Sequence, residues 1–314
     1  MGVAALAGWA SHAGAQAYPE RPVRLISPYA PGGSNDIVTR LVGRRLGEAL
    51  RAPVVVENRP GGGMLIATEM VARAPADGHT LLLASSGHAI NPSLRKDLPY
   101  DTLRDFAAVA LVGWMPNVVV VHPGLPVRTV EDLVAHARRS GAPLNYSSAG
   151  NGSTPHLATE WFKSVAGVDL THVPYKGTGP SLTDLMSGHV ALTICGIAPA
   201  LPYIRSGKLR AIAVTGAART PLAPELPTVA ERGYPGFDVV TWYGVLAPAG
   251  TPALVVGMLA KTLATALRTA DMAAQFAAQG IDPQGGGPEA FAAFIRLDMQ
   301  RWAKVVSMAG VRVD

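Results

Sequence analysis

The sequence predicts an α/β protein of two lobes, with a doubly wound sheet in each lobe and a hinge of two strands between them. Three observations support this fold. The chain has 314 residues, more than one hydrophobic core usually accommodates, so two domains are expected. Short apolar runs alternate with amphipathic helical stretches, which indicates βαβ units with parallel strands. Two extended segments, 118–121 and 238–247, lie where the chain would leave the first lobe and return to it.

The composition is that of a folded chain and argues against a nucleic-acid partner. Hydrophobic residues make up 48% of the sequence and charged residues 16%, so apolar material for packed cores is ample. The formal net charge is +5, but Lys and Arg do not cluster into a basic stripe. The single cysteine, Cys195, excludes an intrachain disulfide.

The first residues resemble a secretory signal. Val3 to Ala10 is a short apolar run, and Ala15-Gln16-Ala17 resembles an A-x-A cleavage site just before Tyr18. A basic n-region is missing, so either the true start lies upstream or the signal is irregular. We assign residues 1–17 to a signal-like segment. No later segment has the pattern of a transmembrane helix.

An anion-binding loop opens the first lobe. Residues 23–27 predict a strand, and residues 37–50 predict an amphipathic helix. The turn between them contains Gly32-Gly33, which lets backbone amides approach a ligand without an obstructing Cβ. Tyr29 precedes this pair and is a candidate ligand contact. Asp36 follows it and is as well explained by a helix cap or a loop brace as by ligand binding.

The same pattern returns at two further strand ends of this lobe. Residues 54–57 predict a strand followed by Gly61-Gly62-Gly63 and a helix from Met64. Residues 80–84 predict a third strand, which ends at Ser85 and Ser86. Ligands collect outside the carboxyl ends of parallel strands. We therefore expect these three loops to meet at one edge of the sheet.

The second lobe repeats the pattern twice. Residues 144–146 predict a strand, which leads through a polar loop to a helix with Pro155 in its first turn. Residues 170–174 predict another strand, followed by a Gly-rich turn and a helix that ends near Gly188. The predicted lobes are residues 18–117 with 241–314, and residues 118–240 with the hinge crossings.

The hinge and the return to the first lobe are predicted from apolar runs. Two runs, 106–113 and 117–122, are separated by Trp114-Met115-Pro116. After the return strand, one long helix is predicted from Thr251 and another from Pro288 to Met308. Between these helices, Gly285-Gly286-Gly287 is predicted to be a flexible connector.

Seven strings of sequence, in order over essentially the whole chain from Tyr18, carry a family resemblance. They are YPERPVRLISPYAPGGSND, VVVENRPGGG, ADGHTLLLASSGHAINPSL, LNYSSAGNGSTPHL, THVPYKGTGPSLTDLMSGHV, IRSGKLRAIAVT and TWYGVLAPAGTP. They resemble the Bug-type extracytoplasmic solute receptors of tripartite tricarboxylate transporters. The resemblance implies a type II-like periplasmic binding protein that closes on a small carboxylate and works with membrane transporter subunits. We expect a monomer.

The resemblance also implies a set of ligand-binding residues. The carboxylate is held by backbone amides, hydroxyls and ordered water rather than by an arginine clamp. The first-lobe side of the cleft comprises Tyr29, Gly32, Gly33, Asp36, Gly61, Gly62, Ser85 and Ser86. The second-lobe side comprises Ser148, Gly150, Asn151, Ser153, Thr154, His156, Lys176, Gly177 and Thr178. His156 is equally well explained as a structural histidine, and Lys176 as a solvated charge that steers anions.

Two positions depart from the family's pattern. Met64 and Ala67 stand where the family usually has glycine, so Met64 either crowds the amide cradle or lines it with an apolar wall. The run from Thr193 to Ile197 lacks the acidic or amide residue often found there. This absence disfavours a ligand with a cationic group.

An enzyme on a similar two-lobed fold and a receptor for a sensor kinase are the alternatives. The sequence has no G-x-S-x-G, P-loop or complete G-x-G-x-x-G motif, and its histidines lack metal-ligand spacing. We therefore expect no catalysis, no cofactor and no metal. The identity of the carboxylate does not follow from the sequence, because backbone amides recognise the carboxylate and not what it is attached to.

Overall fold

In the computed structural model, strands and helices alternate over residues 18–312, which are the residues that the structure describes. The signal-like segment, residues 1–17, lies outside them. The strands are β1 (Val23–Ser27), β2 (Val54–Asn58), β3 (Thr80–Ser85), β4 (Phe106–Val121), β5 (Leu144–Ser148), β6 (Leu170–Pro174), β7 (Leu192–Gly196), β8 (Arg210–Val214), β9 (Val240–Pro248) and β10 (Asp282–Gly286). The α-helices are α1 (Ser34–Leu50), α2 (Leu65–Ala72), α3 (Gly87–Leu94), α4 (Val130–Arg139), α5 (Thr154–Ala166), α6 (Thr178–Met186), α7 (Ile197–Arg205), α8 (Ala253–Leu267), α9 (Ala270–Ala278) and α10 (Pro288–Ala309). Short 3₁₀ helices cover Gly62–Met64 and Ala230–Arg232.

The strands form two sheets that share β4, in the order β2-β1-β3-β9-β4-β7-β5-β6. In the first lobe, β1 is parallel to β2 and β3, and β9 runs antiparallel to β3 and β4. In the second lobe, β5 is parallel to β6 and β7, and β4 runs antiparallel to β7 and β8. Each sheet therefore combines parallel strands joined through helices with antiparallel strands where the chain crosses between the lobes.

Strand β4 is continuous, so the prediction of two separate runs was wrong. Its first part pairs with β9 as far as Pro116, and Asn117 then begins the pairing with β7. Trp114 lies opposite Trp242 in the β4–β9 ladder. Pro116 suggested a break, but it lies at the end of that ladder, where a missing N–H is least costly.

The C-terminal region contains two further differences from the sequence prediction. The predicted connector at Gly285-Gly286-Gly287 overlaps β10, whose Asp282 and Gly286 pair antiparallel with Trp114 and Leu111 of β4. A strand so rich in glycine carries no strand pattern, and only pairing with a distant partner reveals it. The long helix predicted from Thr251 is two helices, because Thr269 caps α9 by accepting a hydrogen bond from the N–H of Met272 (3.3 Å).

The last helix is fixed on the return strand by a buried carboxylate. The indole N–H groups of Trp242 and Trp302 both donate to Asp298 Oδ2, at 2.7 and 3.1 Å. This contact fixes α10 against β9. Among residues 18–312 no single helix is long and apolar enough to span a membrane, and α8 and α9 pass that test only as a pair bent by 75°.

Candidate functional site

The two lobes meet around a small, partly open pocket, which we call the inner pocket. Its volume is about 30 Å³. Its lining consists of Tyr29, Gly33, Ser34, Asn35, Ser85, Asn117, Ala149, Thr154, Pro155, Thr178, Gly196, Thr241 and Tyr243. None of these lining residues is an acid, a lysine, an arginine or a histidine, and burial raises the pKa of both tyrosines further. A ligand in this pocket is therefore recognised by neutral groups and by helix ends.

Three helices begin at the inner pocket without a side-chain cap. Helix α1 follows Gly33, α6 follows Gly177 and α7 follows Gly196, and none of these residues has a side chain that could cap the helix. The first N–H groups of a helix have no partner within it, and the positive end of the helix dipole lies there. These N–H groups are therefore free to bind a ligand, and they favour an anion.

The polar side chains beside the helix ends differ in whether they already have a hydrogen-bond partner. Ser34 Oγ is buried and has no hydrogen-bond partner among the described residues. A buried polar group left unpaired costs about 1 to 3 kcal/mol, so this hydroxyl is suited to a ligand. The hinge residues are already paired, because Thr241 Oγ1 donates to Asn117 Oδ1 (3.0 Å) and Asn117 Nδ2 donates to the carbonyl of Val239 (3.3 Å).

The loop between β1 and α1 is braced by a carboxylate that lies outside the inner pocket. Asp36 accepts hydrogen bonds from Gly32 N–H (3.0 Å), Arg40 Nε (3.1 Å) and Asn58 Nδ2 (2.9 Å). Asn58 Nδ2 also donates to the carbonyl of Tyr29 at 2.9 Å. Burial opposes the ionisation of Asp36, but these hydrogen bonds outweigh it and hold the pKa of the carboxyl below its ordinary value. The charge of Asp36 is thus used to hold the loop.

The loop between β5 and α5 is braced by neutral side chains. Ser148 Oγ lies 2.6 Å from His172 Nε2 and accepts a hydrogen bond from Gly150 N–H at 3.0 Å. The His172 ring stacks on His156 at 4.2 Å between centroids, and His156 Nδ1 accepts from Gly152 N–H at 3.3 Å. Burial lowers the pKa of His156 to about 4 and that of His172 to about 3. Both rings are therefore uncharged at neutral pH.

The lobes touch directly through their glycine turns. The N–H of Ala30 donates to the carbonyl of Lys176 at 2.8 Å. A Cβ on Gly63 would lie 1.7 Å from the carbonyl oxygen of Asn151, and one on Gly33 would lie 3.3 Å from Thr178 Cβ. At Gly63 the closed arrangement has no room for a side chain.

A second, more open cavity, the outer compartment, adjoins the inner pocket and has a volume of about 220 Å³. Its lining consists of Tyr29, Gly61, Gly62, Gly63, Met64, Arg95, Ala149, Gly150, Asn151, Pro174, Tyr175 and Lys176. Tyr29 and Ala149 line both cavities. Met64 is completely buried and packs with these two residues. Met64 therefore forms an apolar wall at the junction of the two cavities.

The sequence of the chain matches a known family. Residues 38–311 match the family described as "Tripartite tricarboxylate transporter family receptor". The chain belongs to this receptor family. The match confirms the resemblance found in the sequence, and it makes the protein a receptor rather than an enzyme.

Solved structures similar to this receptor share its two-lobed α/β fold. Rpa4515 of R. palustris, solved with adipate, is 38% identical with a TM-score of 0.91, over 94% of this chain and 99% of its own. The periplasmic binding protein BugD is 35% identical with a TM-score of 0.91, over 94% and 99% of the two chains. MatC (Rpa3494) from Rhodopseudomonas palustris, with bound malate, is 33% identical with a TM-score of 0.88, over 92% and 100%. The predicted fold, that of a periplasmic binding protein, is confirmed.

The structure of the receptor places the predicted site residues in three groups. The inner pocket contains Tyr29, Gly33, Ser85, Thr154 and Thr178. The outer compartment contains Gly61, Gly62, Gly150, Asn151 and Lys176, and also Tyr29. The residues that line neither cavity are Gly32, Asp36, Ser86, Ser148, Ser153, His156 and Gly177. Within this third group, Ser86 Oγ accepts a hydrogen bond from Trp242 N–H (3.0 Å) and Ser153 Oγ donates to Gly150 O (2.7 Å).

Sequence reasoning missed several residues that line the receptor's cavities. Asn117 and Thr241 reach the inner pocket from the hinge strands, together with Tyr243. An isolated polar residue inside an apolar strand pattern is a signal that could have found Asn117. Ser34 directly follows the glycine pair at the start of α1, where a serine is ordinarily explained as a helix cap. Arg95 lines the outer compartment. It follows residues 87–94, whose sequence resembles a polar loop but which form the helix α3.

Proposed function

We propose that this receptor binds a small carboxylate between its lobes in the periplasm and delivers it to the membrane subunits of a tripartite tricarboxylate-type transporter. The observation that carries the proposal is the inner pocket, where three uncapped helix N-termini and the unpaired Ser34 hydroxyl surround a space without formal charge. Such donors stabilise an anion. Adipate and malate, the ligands in two similar structures, are both carboxylates and support this class.

The donors of the inner pocket supply interaction free energy on the scale of micromolar binding, before the cost of association is subtracted. A helix N-terminus contributes about 0.3 to 1 kcal/mol toward an anion, and up to about 2 kcal/mol when partly buried. A hydrogen bond to a charged group contributes about 1.5 to 3 kcal/mol. Three helix ends and two or three such bonds together reach about 8 kcal/mol, which corresponds to a micromolar dissociation constant. Closure of the lobes removes water and strengthens each of these interactions.

The predicted residues have different roles in this proposal. The first carboxylate contacts the inner-pocket groups of Tyr29, Gly33, Ser34, Ser85, Thr154 and Thr178. The rest of the ligand passes Tyr29 toward Gly61, Gly62, Gly150, Asn151 and Lys176. The remaining residues, Gly32, Asp36, Ser86, Ser148, Ser153, His156 and Gly177, hold the loops in place. Secretion through residues 1–17 and action as a monomer belong to the same proposal.

Calorimetric titration tests the binding function. The protein is unfolded, dialysed and refolded to remove any bound ligand, and is then titrated with dicarboxylates, tricarboxylates, aromatic acids and amino acids. We expect at least one acid to bind with a dissociation constant in the micromolar range or below, and its fully amidated analogue to bind at least about tenfold more weakly. Chemical conversion of an acid by the protein, or failure of every acid to bind, contradicts the proposal.

Uptake by cells tests the transport function. The acid identified by titration is supplied in labelled form to cells with and without the gene for this receptor. We expect accumulation of the label to depend on the gene. Gene-independent accumulation, together with a gene-dependent transcriptional response to the acid, would indicate a sensory receptor instead.

A further inference from the structure

We infer that the ligand is a dianion whose second carboxylate lies in the outer compartment, where Arg95 of the first lobe and Lys176 of the second lobe bind it. The inference rests on the proposed function, because the inner pocket must hold the first carboxylate. It narrows the ligand to acids with two anionic groups separated by a spacer that passes Tyr29.

The two cavities differ in charge. The inner pocket has no charged lining residue, whereas the outer compartment is lined by two cations, Arg95 and Lys176, and by no acid. Because Tyr29 and Ala149 line both cavities, the two cavities are adjacent, and the inference takes one extended molecule to span them. A ligand with an anionic group at each end matches this distribution of charge.

Both cations lack an anionic partner within the protein. Neither Arg95 nor Lys176 forms an ion pair with a carboxylate of residues 18–312. Arg95 Nε is buried and makes no hydrogen bond with a described residue. Arginines of the neighbouring loops are paired, for example Arg40 with Asp36 and Arg59 with Glu57. A half-buried guanidinium with an unused N–H is therefore a group that a ligand carboxylate would satisfy.

The fold brings the two cations together from opposite lobes. Arg95 directly follows α3, and this helix is fixed to the glycine loop because Asn91 Nδ2 donates to the carbonyl of Gly63 at 3.0 Å. Lys176 lies on a turn whose carbonyl accepts a hydrogen bond from Ala30 N–H across the cleft. That hydrogen bond joins the two lobes directly. A dianion bound to both cations therefore favours the closed form over the open one, as a closing ligand must.

The test compares each dicarboxylate with its own half-amide. Linear dicarboxylates from succinate to suberate are titrated into ligand-stripped protein, and so are the monoamides in which one carboxylate has become a carboxamide. We expect one chain length to bind best and to bind at least about tenfold more tightly than its half-amide, as expected from one lost charge-assisted contact. Arg95→Gln and Lys176→Gln should each reduce the ratio of dicarboxylate affinity to half-amide affinity to less than about threefold.

The variants have internal controls. Lys208 is exposed and lines neither cavity, so Lys208→Gln removes the same charge and should preserve the preference. Binding of the half-amide and the thermal unfolding temperature show that Arg95→Gln is folded. Equal affinity for dicarboxylate and half-amide at every length overturns the inference, as does an unchanged preference in the double variant. Either result leaves the carboxylate receptor intact, whereas failure of all acids to bind overturns the proposed function itself.

Discussion

The loop from Tyr29 to Asp36 in the first lobe and the loop from Ser148 to Thr154 in the second occupy equivalent places, because each joins the end of a strand to the start of a helix. They differ in whether the first N–H groups of the following helix remain unpaired. The first loop caps α1 with no side chain, so the first N–H groups of α1 remain unpaired at the inner pocket. In the second, Ser153 Oγ accepts a hydrogen bond from His156 N–H and caps α5 itself.

The braces of the two loops differ as well. Asp36 is ionised but is neutralised by Arg40, so a carboxylate close to an anion site does not repel the ligand strongly. The second loop rests on the stacked rings of His156 and His172, which are neutral. The comparison indicates that the first loop leaves N–H donors free for the anion, as the starts of α6 and α7 also do, whereas the second loop uses its own donors and forms a wall of the site. The following predictions test that division, from the largest expected effect to the smallest.

Replacing Gly33 by valine should abolish most of the binding. The added side chain would meet Thr178 of the other lobe, since a Cβ alone lies 3.3 Å from Thr178 Cβ. The φ of Gly33 is −93°, which valine adopts without strain. We expect an affinity loss of at least about 100-fold, about 2.7 kcal/mol, with an unchanged unfolding temperature of the ligand-free protein. Gly257→Val, on an exposed face of α8 with open space, is the matched control, and wild-type affinity of Gly33→Val would refute a donor role for the first loop.

Acid should destabilise the second loop before it affects the first. Unfolded histidines titrate near pH 6.5, whereas burial lowers the folded pKa of His156 to about 4. Between these values the unfolded chain binds protons that the folded chain does not, so the free energy of unfolding falls as the pH falls from 6.5 toward 4. The contribution is fully present above pH 6.5. We expect a loss of about 3 kcal/mol from His156 over this range, at about 1.4 kcal/mol per pH unit, and a further, smaller loss from the less buried His172.

Urea unfolding at a series of pH values measures this loss. The comparison protein is His156→Gln, in which one of the two titrating rings is absent. We expect its free energy of unfolding to depend less steeply on pH over the same range. An identical pH dependence in both proteins would show that the histidine pair does not control the stability of the second loop.

Ser34→Ala should weaken binding without lowering stability. The Ser34 hydroxyl makes no hydrogen bond of normal geometry with a described residue and has only a weak interaction with the Tyr243 hydroxyl, so its removal should cost little stability. If it contacts the carboxylate, its loss should cost about tenfold in affinity. Calorimetry and thermal unfolding measure the two quantities separately. A lower unfolding temperature with unchanged affinity would assign this hydroxyl to the fold instead.

Ser153→Ala, in contrast to Ser34→Ala, should lower the stability of the protein and change the ligand affinity least of all these variants. Loss of an N-cap hydroxyl costs about 1 kcal/mol of stability, and Ser153 also bonds the carbonyl of Gly150 at 2.7 Å. Because this hydroxyl does not line either cavity, we expect the affinity to change by no more than about threefold, which is below 1 kcal/mol. Chemical denaturation provides the stability, and the same ligand titration as for Ser34→Ala provides the affinity.

Much of the fold and the first loop could be predicted because their signals are local. A strand, a glycine pair and an amphipathic helix lie next to one another in residues 23–50, and their order along the chain indicates their arrangement. The strand β10 could not be predicted, because its pairing with β4 is decided by a partner about 170 residues away and not by its own composition. The helix α3 was missed for a related reason, since Asn91-Pro92 resembles a turn when read alone.

The residues of the candidate site also divide into those with a local signal in the sequence and those without one. Gly33 and Thr178 belong to glycine turns and lie where local rules direct attention. Asn117 and Thr241 enter the inner pocket only because β4 and β9 pair in one particular register. Arg95 reaches the outer compartment only because α3 is tied to Gly63. Residues that depend on the register or docking of distant segments carry no signal in their own neighbourhood.

Strand β4 runs without interruption from one lobe into the other, from Phe106 to Val121. The strand is continuous, but its hydrogen-bonded partner changes from β9 to β7 between Pro116 and Asn117. A strand that exchanges partners at one point has its weakest lateral support there, so we expect any bending between the lobes to be concentrated at these two residues. The same exchange places Asn117 in the inner pocket, so the bending point and the binding site share a residue.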